Sequence, residues 1–501
     1  MLVNYYYLKD GRKLFPMKAM KKSLLVNTIY NGLYNGLNIV FPLVTIPYLS
    51  RILGADGLGM VNYSRNIVSW FLIFASLGIP RYGVREIAKT NAANNRLNRT
   101  FTELFSFNFI STTLYSFGYL ILINSVHYFD GRRCLYLVTG LQLFLNVLNV
   151  DYVYQGIEEY GYITKRSFAV KLLSLIAMFL FVRTKSDYIK YALIQSLAVA
   201  GNYIFNFVHL HKYVAFEFRN IDILKHVSPI LILLSTQLAV NLYSLLDTTM
   251  LGILCTDSVV GYYSNVHKII LTISTITASL GGVMLPRLSY LWNSGRVEEV
   301  KSLGIKAQEL ICSICLPVSI GVFVLAPQIV RILFGNDFSP CIKTLRIFAP
   351  FVLITTIGNL YGTQFLMAFG NEKALLVTVS VGSVINIVLN GIFIPSFQQD
   401  GAAAASVITE LVVLGLQMKV VSKYISLKSE LKFSRTILLI SIAIYMYLIG
   451  IQSLQVNDII VVLLSCLGAG IIFLSLGLLL NNTAIVFLVK TVANVIKKKL
   501  S

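Results

Sequence analysis

Residues 24–49, LLVNTIYNGLYNGLNIVFPLVTIPYL, run without a charged side chain. A helix rises 1.5 Å per residue, so a run of this length reaches across a hydrocarbon core about 30 Å thick. Within it Asn27, Asn31, Asn35 and Asn38 are spaced four, four and three apart, which places four amides on one helical face. Similar runs return near 59–80, 101–124, 134–154, 167–183, 190–210, 228–252, 259–285, 307–330, 344–368, 374–395, 401–422, 436–454 and 458–480. The pattern predicts an all-α polytopic membrane protein with about fourteen transmembrane helices. Membrane strands would instead alternate over about ten residues, which these runs do not.

Composition agrees. The chain has 501 residues, 56% hydrophobic and only 13% charged, with a mean hydropathy of +0.73, against about 25% charged residues in soluble domains. The net charge of +20 is spread over short loops and forms no single face, which argues against a nucleic-acid partner. Most of the 42 Lys and Arg fall on the side of the N-terminus when loops are assigned alternately, so both termini are expected in the cytoplasm. The basic lead-in before the first span lacks a small-residue cleavage site and is not read as a removable signal. The longest loops, near 212–227 and 291–305, are too short for a catalytic domain, so an enzyme such as a membrane transferase is not expected.

Cys312 and Cys315 form a C-x-x-C inside an apolar run without a second ligand pair, and read as core residues. The histidines are scattered, and no Ser/His/Asp or Cys/His set shares a depth. GADGLG at 54–59 lacks the Gly-Lys-Ser/Thr of a phosphate loop and reads as a tight turn. No cofactor is implied.

An internal repeat divides the chain. Ile52, Leu53, Asp56 and Gly59, followed by Ser76-Leu77-Gly78 and Pro80-Arg81, are echoed by Ile253, Leu254, Asp257 and Gly261, followed by Ser279-Leu280-Gly281 and Pro286-Arg287. Span seven then corresponds to span one. The expected organisation is a cytoplasmic segment 1–23, an N-lobe 24–212 of spans one to six, a C-lobe 213–423 of spans seven to twelve, and 424–501 with two more spans and a basic tail. Span seven repeats the polar stripe with Gln237, Asn241, Ser244 and Thr248, and Asp247 beside the last. Two readings fit such stripes, helix-to-helix glue and the wall of a water-filled cavity.

A charge at a helix centre costs about 2.5–3.5 kcal/mol on insertion scales. Arg65, Asp247, Lys268 and Glu410 all fall within spans, each about 8–14 Å from its external helix end. Arg65 and Lys268 have the reach to snorkel, whereas Asp247 and Glu410 are shorter and favour a functional role.

The strings PYLSRILGADGLG (47–59), SLGIPRYGVREIAK (76–89), DYVYQGIEEYGYITKRS (151–167), LLDTTMLGIL (245–254) and VGYYSNVHKI (260–269) resemble the signature stretches of polysaccharide flippases of the Wzx type. These belong to the superfamily that holds the multidrug exporters and the lipid II flippase. The resemblance runs from about residue 20 to 425. It implies two six-helix lobes in a V shape, a polyprenyl diphosphate-linked oligosaccharide repeat unit as substrate, alternating access, and residence in the bacterial cytoplasmic membrane with polysaccharide assembly proteins as possible neighbours. Arg65 and Lys268 lie on spans that bear cavity cations in the lipid II flippase, and with Arg51 they are the expected diphosphate contacts. Asn31, Asn35 and Asn241 suit sugar hydroxyls. That relative also holds sodium between spans seven, eleven and twelve, and the matching positions here are Asp247, Asn386, Asn390 and Ser406. Asn390 stands where an aspartate is expected, which leaves the coupling ion open between sodium and a proton on Asp247 or Glu410. The alternative within the superfamily is a multidrug exporter.

Overall fold

The protein is described from a computed structural model covering residues 18–92, 96–282, 284–425, 435–454, 456–482, 484–486 and 489. These residues contain helices and no strand. In chain order the α-helices are α1 Lys18–Ser76, α2 Ile79–Ala92, α3 Leu97–Ser125, α4 Arg133–Phe144, α5 Asp151–Gly156, α6 Tyr160–Phe181, α7 Tyr188–His209, α8 Val227–Leu254, α9 Asp257–Gly282 and α10 Met284–Asn293. They continue as α11 Val297–Val324, α12 Ala326–Leu333, α13 Cys341–Phe348, α14 Phe351–Asn359, α15 Glu372–Val421, α16 Arg435–Gln452 and α17 Asp458–Leu479, with a π-helical stretch Leu360–Leu366 after α14.

Among the described residues, eight helical stretches are long and apolar enough to cross a membrane. The helices α1 and α15 each run through two expected spans. α1 bends at Gly54, whose φ of 67° favours glycine, and α15 bends at Gln398 with φ of 50°. The expected turn at 54–59 is therefore a single left-handed residue inside an otherwise helical backbone. The expected span 59–80 ends at Ser76, where Leu77 and Gly78 take positive φ and turn the chain into α2.

Solvent-facing surfaces identify the medium. On α17, Leu463, Leu467, Ile471, Leu474 and Leu478 follow helical spacing and are all exposed, Leu467 and Ile471 to 67% each. On α3, Phe109, Ile110, Leu114, Phe117 and Ile121 are exposed while Asn108, Ser111 and Thr112 are buried. Apolar outside and polar inside is the arrangement that lipid rewards, and the chain is a multi-pass membrane protein. Cys312 and Cys315 are free thiols buried in the core that α11 shares with α14 and the π-helical stretch. α16 packs against α11 and α17, beside an apolar cavity of about 410 Å³ lined in part by Pro317, Leu448 and Phe473.

The described chain forms two compact units, one of Met1–Thr45, Val68–Arg183 and Ile189–Ser235, the other of Ile46–Ile67, Thr184–Tyr188 and Thr236–Ser501. In the first, the long loop before α8 is laced to the start of α3. Asn98 Oδ1 accepts from the Ala215 amide at 3.0 Å and Thr102 Oγ1 from the Glu217 amide at 2.8 Å. Glu103, fully buried, accepts from the Asp222 amide at 2.9 Å, Arg99 Nε at 3.0 Å, Lys225 Nζ at 2.5 Å and His226 Nε2 at 3.1 Å. With its Nε2 engaged, buried His226 turns Nδ1 to the Tyr82 hydroxyl at 2.8 Å. A buried carboxylate is tolerable only when its lone pairs are taken up in this way. Glu103→Ala strands His226 and the Asp222 amide, and the expected loss is about 3 kcal/mol, read as a lowered thermal-unfolding midpoint in detergent, with Glu103→Gln losing less.

Candidate functional site

In the second unit the two copies of the internal repeat meet each other. Gly59 lies against the Asp257 carbonyl and Gly261 against the Ala55 carbonyl, so closely that a methyl at either glycine would overlap the facing backbone. The contact is reciprocal: Asp56 accepts from the Ser258 hydroxyl beside it, and Asn66 Nδ2 donates to Thr249 Oγ1 at 2.7 Å and to the Leu245 carbonyl at 3.2 Å. Glycines let helices approach until backbones touch. Arg65 follows Gly59 by six residues and Lys268 follows Gly261 by seven. The close approach sets these two residues on facing helices.

Asp247 on α8 is 1% exposed. Its Oδ1 accepts from Asn390 Nδ2 at 2.5 Å, and its Oδ2 accepts from Ser406 Oγ and from the Tyr263 hydroxyl, each at 2.5 Å. Asn390 Nδ2 also donates to Asn386 Oδ1 at 3.1 Å. Asn386 and Asn390 share a face of the first half of α15, and Ser406 lies in its second half. On a straight helix Asn390 and Ser406 would be about 24 Å apart. They meet at one carboxylate because Pro395 and the positive φ of Gln398 fold the helix back, with Gly401 against the Phe393 carbonyl where no side chain fits.

Among the described residues, the hydrogen bonds that Asp247 receives come from an amide and two hydroxyls, none of which carries a compensating charge. Among the described residues, Asn390 Oδ1 and Asn386 Nδ2, and Thr409 Oγ1 further along α15, are buried without a hydrogen-bond partner. A carboxylate, amide oxygens and hydroxyls form an oxygen donor set for a hard cation or a proton, and the orphaned Asn390 oxygen is what such a cation would engage. Among the described residues, no group of three or more His, Cys, Asp or Glu could hold a metal ion, so any cation site here rests on amides and hydroxyls around one acid.

The four positions Asp247, Asn386, Asn390 and Ser406 are thus gathered at one point. Tyr263 was missed, although it lies in the quoted string 260–269; nothing in a helical tyrosine marks it as facing an acid. Glu410 stands apart, one turn beyond Ser406, its carboxylate beside Gly358 on α14, with no hydrogen bond or ion pair among the described residues. Arg51 turns its guanidinium to backbone, donating to the Pro47 and Ile332 carbonyls at 2.7 Å each and so capping the end of α12. The side chains of Asn31, Asn35 and Asn241, with the rest of both polar stripes except Thr248, lie outside the described residues.

Comparison with known proteins is consistent with this geometry. The profile of the polysaccharide biosynthesis protein family matches residues 24–292, and the MatE profile matches residues 233–392. A protein of Escherichia coli strain K12 assigned as an O-antigen transporter is 22% identical over 408 residues, covering 80% of this chain and 97% of its own. A protein of Haloferax volcanii assigned as a low-salt glycan biosynthesis flippase is 25% identical over 189 residues, 38% of this chain and 40% of its own. These relatives are named as a transporter and a flippase. The inward-closed structure of the lipid II flippase MurJ superposes with a TM-score of 0.72 at 15% identity, covering 92% of this chain and all of that one. An inward-facing multidrug transporter of the MATE family follows with a TM-score of 0.55 at 16% identity over 80% of this chain and 96% of that one. The fold is shared with both, and the matched profile covers more than half of the residues: this chain belongs to the family of polysaccharide biosynthesis proteins.

Proposed function

We propose that the protein is a flippase that moves polyprenyl diphosphate-linked oligosaccharide units from the inner to the outer leaflet of the cytoplasmic membrane by cation-coupled alternating access. The observation that carries this reading is the close contact of the two repeat copies at Gly59 and Gly261, which sets Arg65 and Lys268, the proposed diphosphate contacts, on facing helices. An anion can bind one cation from each helix at once. A diphosphate has the charge to do so. Membership of the family and the names of the relatives from Escherichia coli and Haloferax volcanii support a glycan as cargo.

The physical task fits. Charged and hydroxylated head groups cannot enter hydrocarbon unpaired, so they travel through a polar cavity while the lipid tail stays in the bilayer. The rocking of one repeat against the other exposes such a cavity to each side in turn. Asp247, with Asn386, Asn390 and Ser406, is the proposed seat of the coupling cation, sodium or a proton. Its inward movement supplies about 2.3 kcal/mol per charge per 100 mV to reset the cycle. Glu410, lacking partners among the described residues, is the proposed second proton carrier. Arg51 is the weakest candidate for a substrate contact, since its donors are spent on carbonyls. The MatE match over residues 233–392 favours a drug exporter as the second reading, but paired cations repel the cationic drugs such a pocket would take.

Two outcomes test the reading. In a strain lacking its own flippase, the wild-type gene restores surface glycan, whereas Asp247→Ala and Arg65→Ala reach the membrane but leave lipid-linked sugars accumulating inside. Unchanged surface glycan in both variants sinks these site assignments. Asn390→Asp adds a second carboxylate to the oxygen cluster, and sodium binding by isothermal calorimetry is expected to tighten about tenfold or more; weaker or equal binding rules out sodium at this place.

A further inference from the structure

The hydroxyl of Tyr263 has no water to turn to. The residue is fully buried on α9, and its O–H donates to Asp247 Oδ2 at 2.5 Å with Ser406 Oγ 3.4 Å away. Its ring is stacked on His267, one turn further along α9, with centroids 5.4 Å apart and planes at 20°. Phe348 of α13 closes the group, 5.7 Å from the Tyr263 ring and 5.6 Å from His267. The next residue is Lys268. Tyr263 and Lys268 are therefore about 7.5 Å apart along the axis of one helix and about 140° apart around it. One faces the buried carboxylate, and the other lies on a different side of α9.

We propose that Tyr263 is the positioning residue through which the occupancy of the Asp247 site sets the place of Lys268, coupling cation to glycan. The inference rests on the cation reading of Asp247 given above. Asp247 Oδ2 already accepts two hydrogen bonds, from Ser406 and Tyr263. A cation arriving on that oxygen competes for the same lone pairs, and the phenol must lengthen its bond or rotate its O–H away. With the site empty, α9 is tied to α8 through this bond. With the site filled, the tie is loosened, and because α9 is rigid over these five residues a shift at Tyr263 is carried to Lys268. His267, wedged between two rings, makes the segment move as one piece. By linkage, whatever the cation does to the affinity for the anionic head group, the head group does in return to the affinity for the cation.

Tyr263→Phe removes only the hydroxyl and keeps the ring stack on His267, which separates coupling from packing. The measurement is the affinity of the purified full-length protein in nanodiscs for a polyprenyl diphosphate, with and without saturating sodium. The wild type is expected to show a cation-dependent change in the range of about five- to 150-fold. In Tyr263→Phe both ligands still bind, the thermal-unfolding midpoint stays near that of the wild type, and the ratio collapses to within about twofold of one. Ser406→Ala, which removes the other donor to the same oxygen but lies on α15, weakens cation binding and keeps the ratio at saturation. An undiminished ratio in Tyr263→Phe overturns the role of Tyr263 alone. A wild-type affinity indifferent to sodium overturns the cation reading of Asp247 and this inference with it.

Discussion

Hydrocarbon offers a buried carboxylate nothing, so every partner of Asp247 has to come from the protein, and the second unit is arranged around that demand. Three helical segments contribute. α9 brings a phenol, the first half of α15 an amide and its second half a hydroxyl. Hydrogen bonds to a charged group contribute about 1.5–3 kcal/mol each. They order the helices that supply them.

That geometry depends on a break in regular structure. Asn390 and Ser406 share a helix only nominally, and the bend at Gln398 turns a separation of about 24 Å into a common contact. The φ of 50° at a residue with a full side chain carries a strain of order 1–3 kcal/mol, and charge-assisted bonds at Asp247 are large enough to offset it. The bend at Gly54 in α1 is cheaper, since glycine adopts that conformation freely. It precedes the contact of Gly59 with the backbone of the second repeat. The two halves of the duplication have thus diverged around a shared contact: one contributes a cation, the other a cation and the acid.

Much was legible in the chain itself. Length and apolarity of the runs specify membrane helices because the bilayer sets their dimensions, and the duplication is visible because Asp56 and Gly59 recur as Asp257 and Gly261. The gathering of Asp247, Asn386, Asn390 and Ser406 was anticipated through resemblance, whereas residue spacing alone would have kept Ser406 far from Asn390. Nothing in the charge pattern marked Arg51 as a helix cap or Glu103 as the centre of a buried network, because a charged residue near a helix end reads the same whether it meets water, lipid head groups or backbone.

The sequence by itself determined the solvent, the helices, the repeat and the chemical types available for a site, since each follows from local composition and periodicity. Only the tertiary structure decided which of these types meet. Tyr263 became a partner of Asp247, and Glu410, one helical turn from Ser406, did not. The reason is geometric: a hydrogen bond discriminates within a few tenths of an ångström, while helical periodicity places a side chain on a face and leaves its partner to the bend of the helix and the packing of its neighbours.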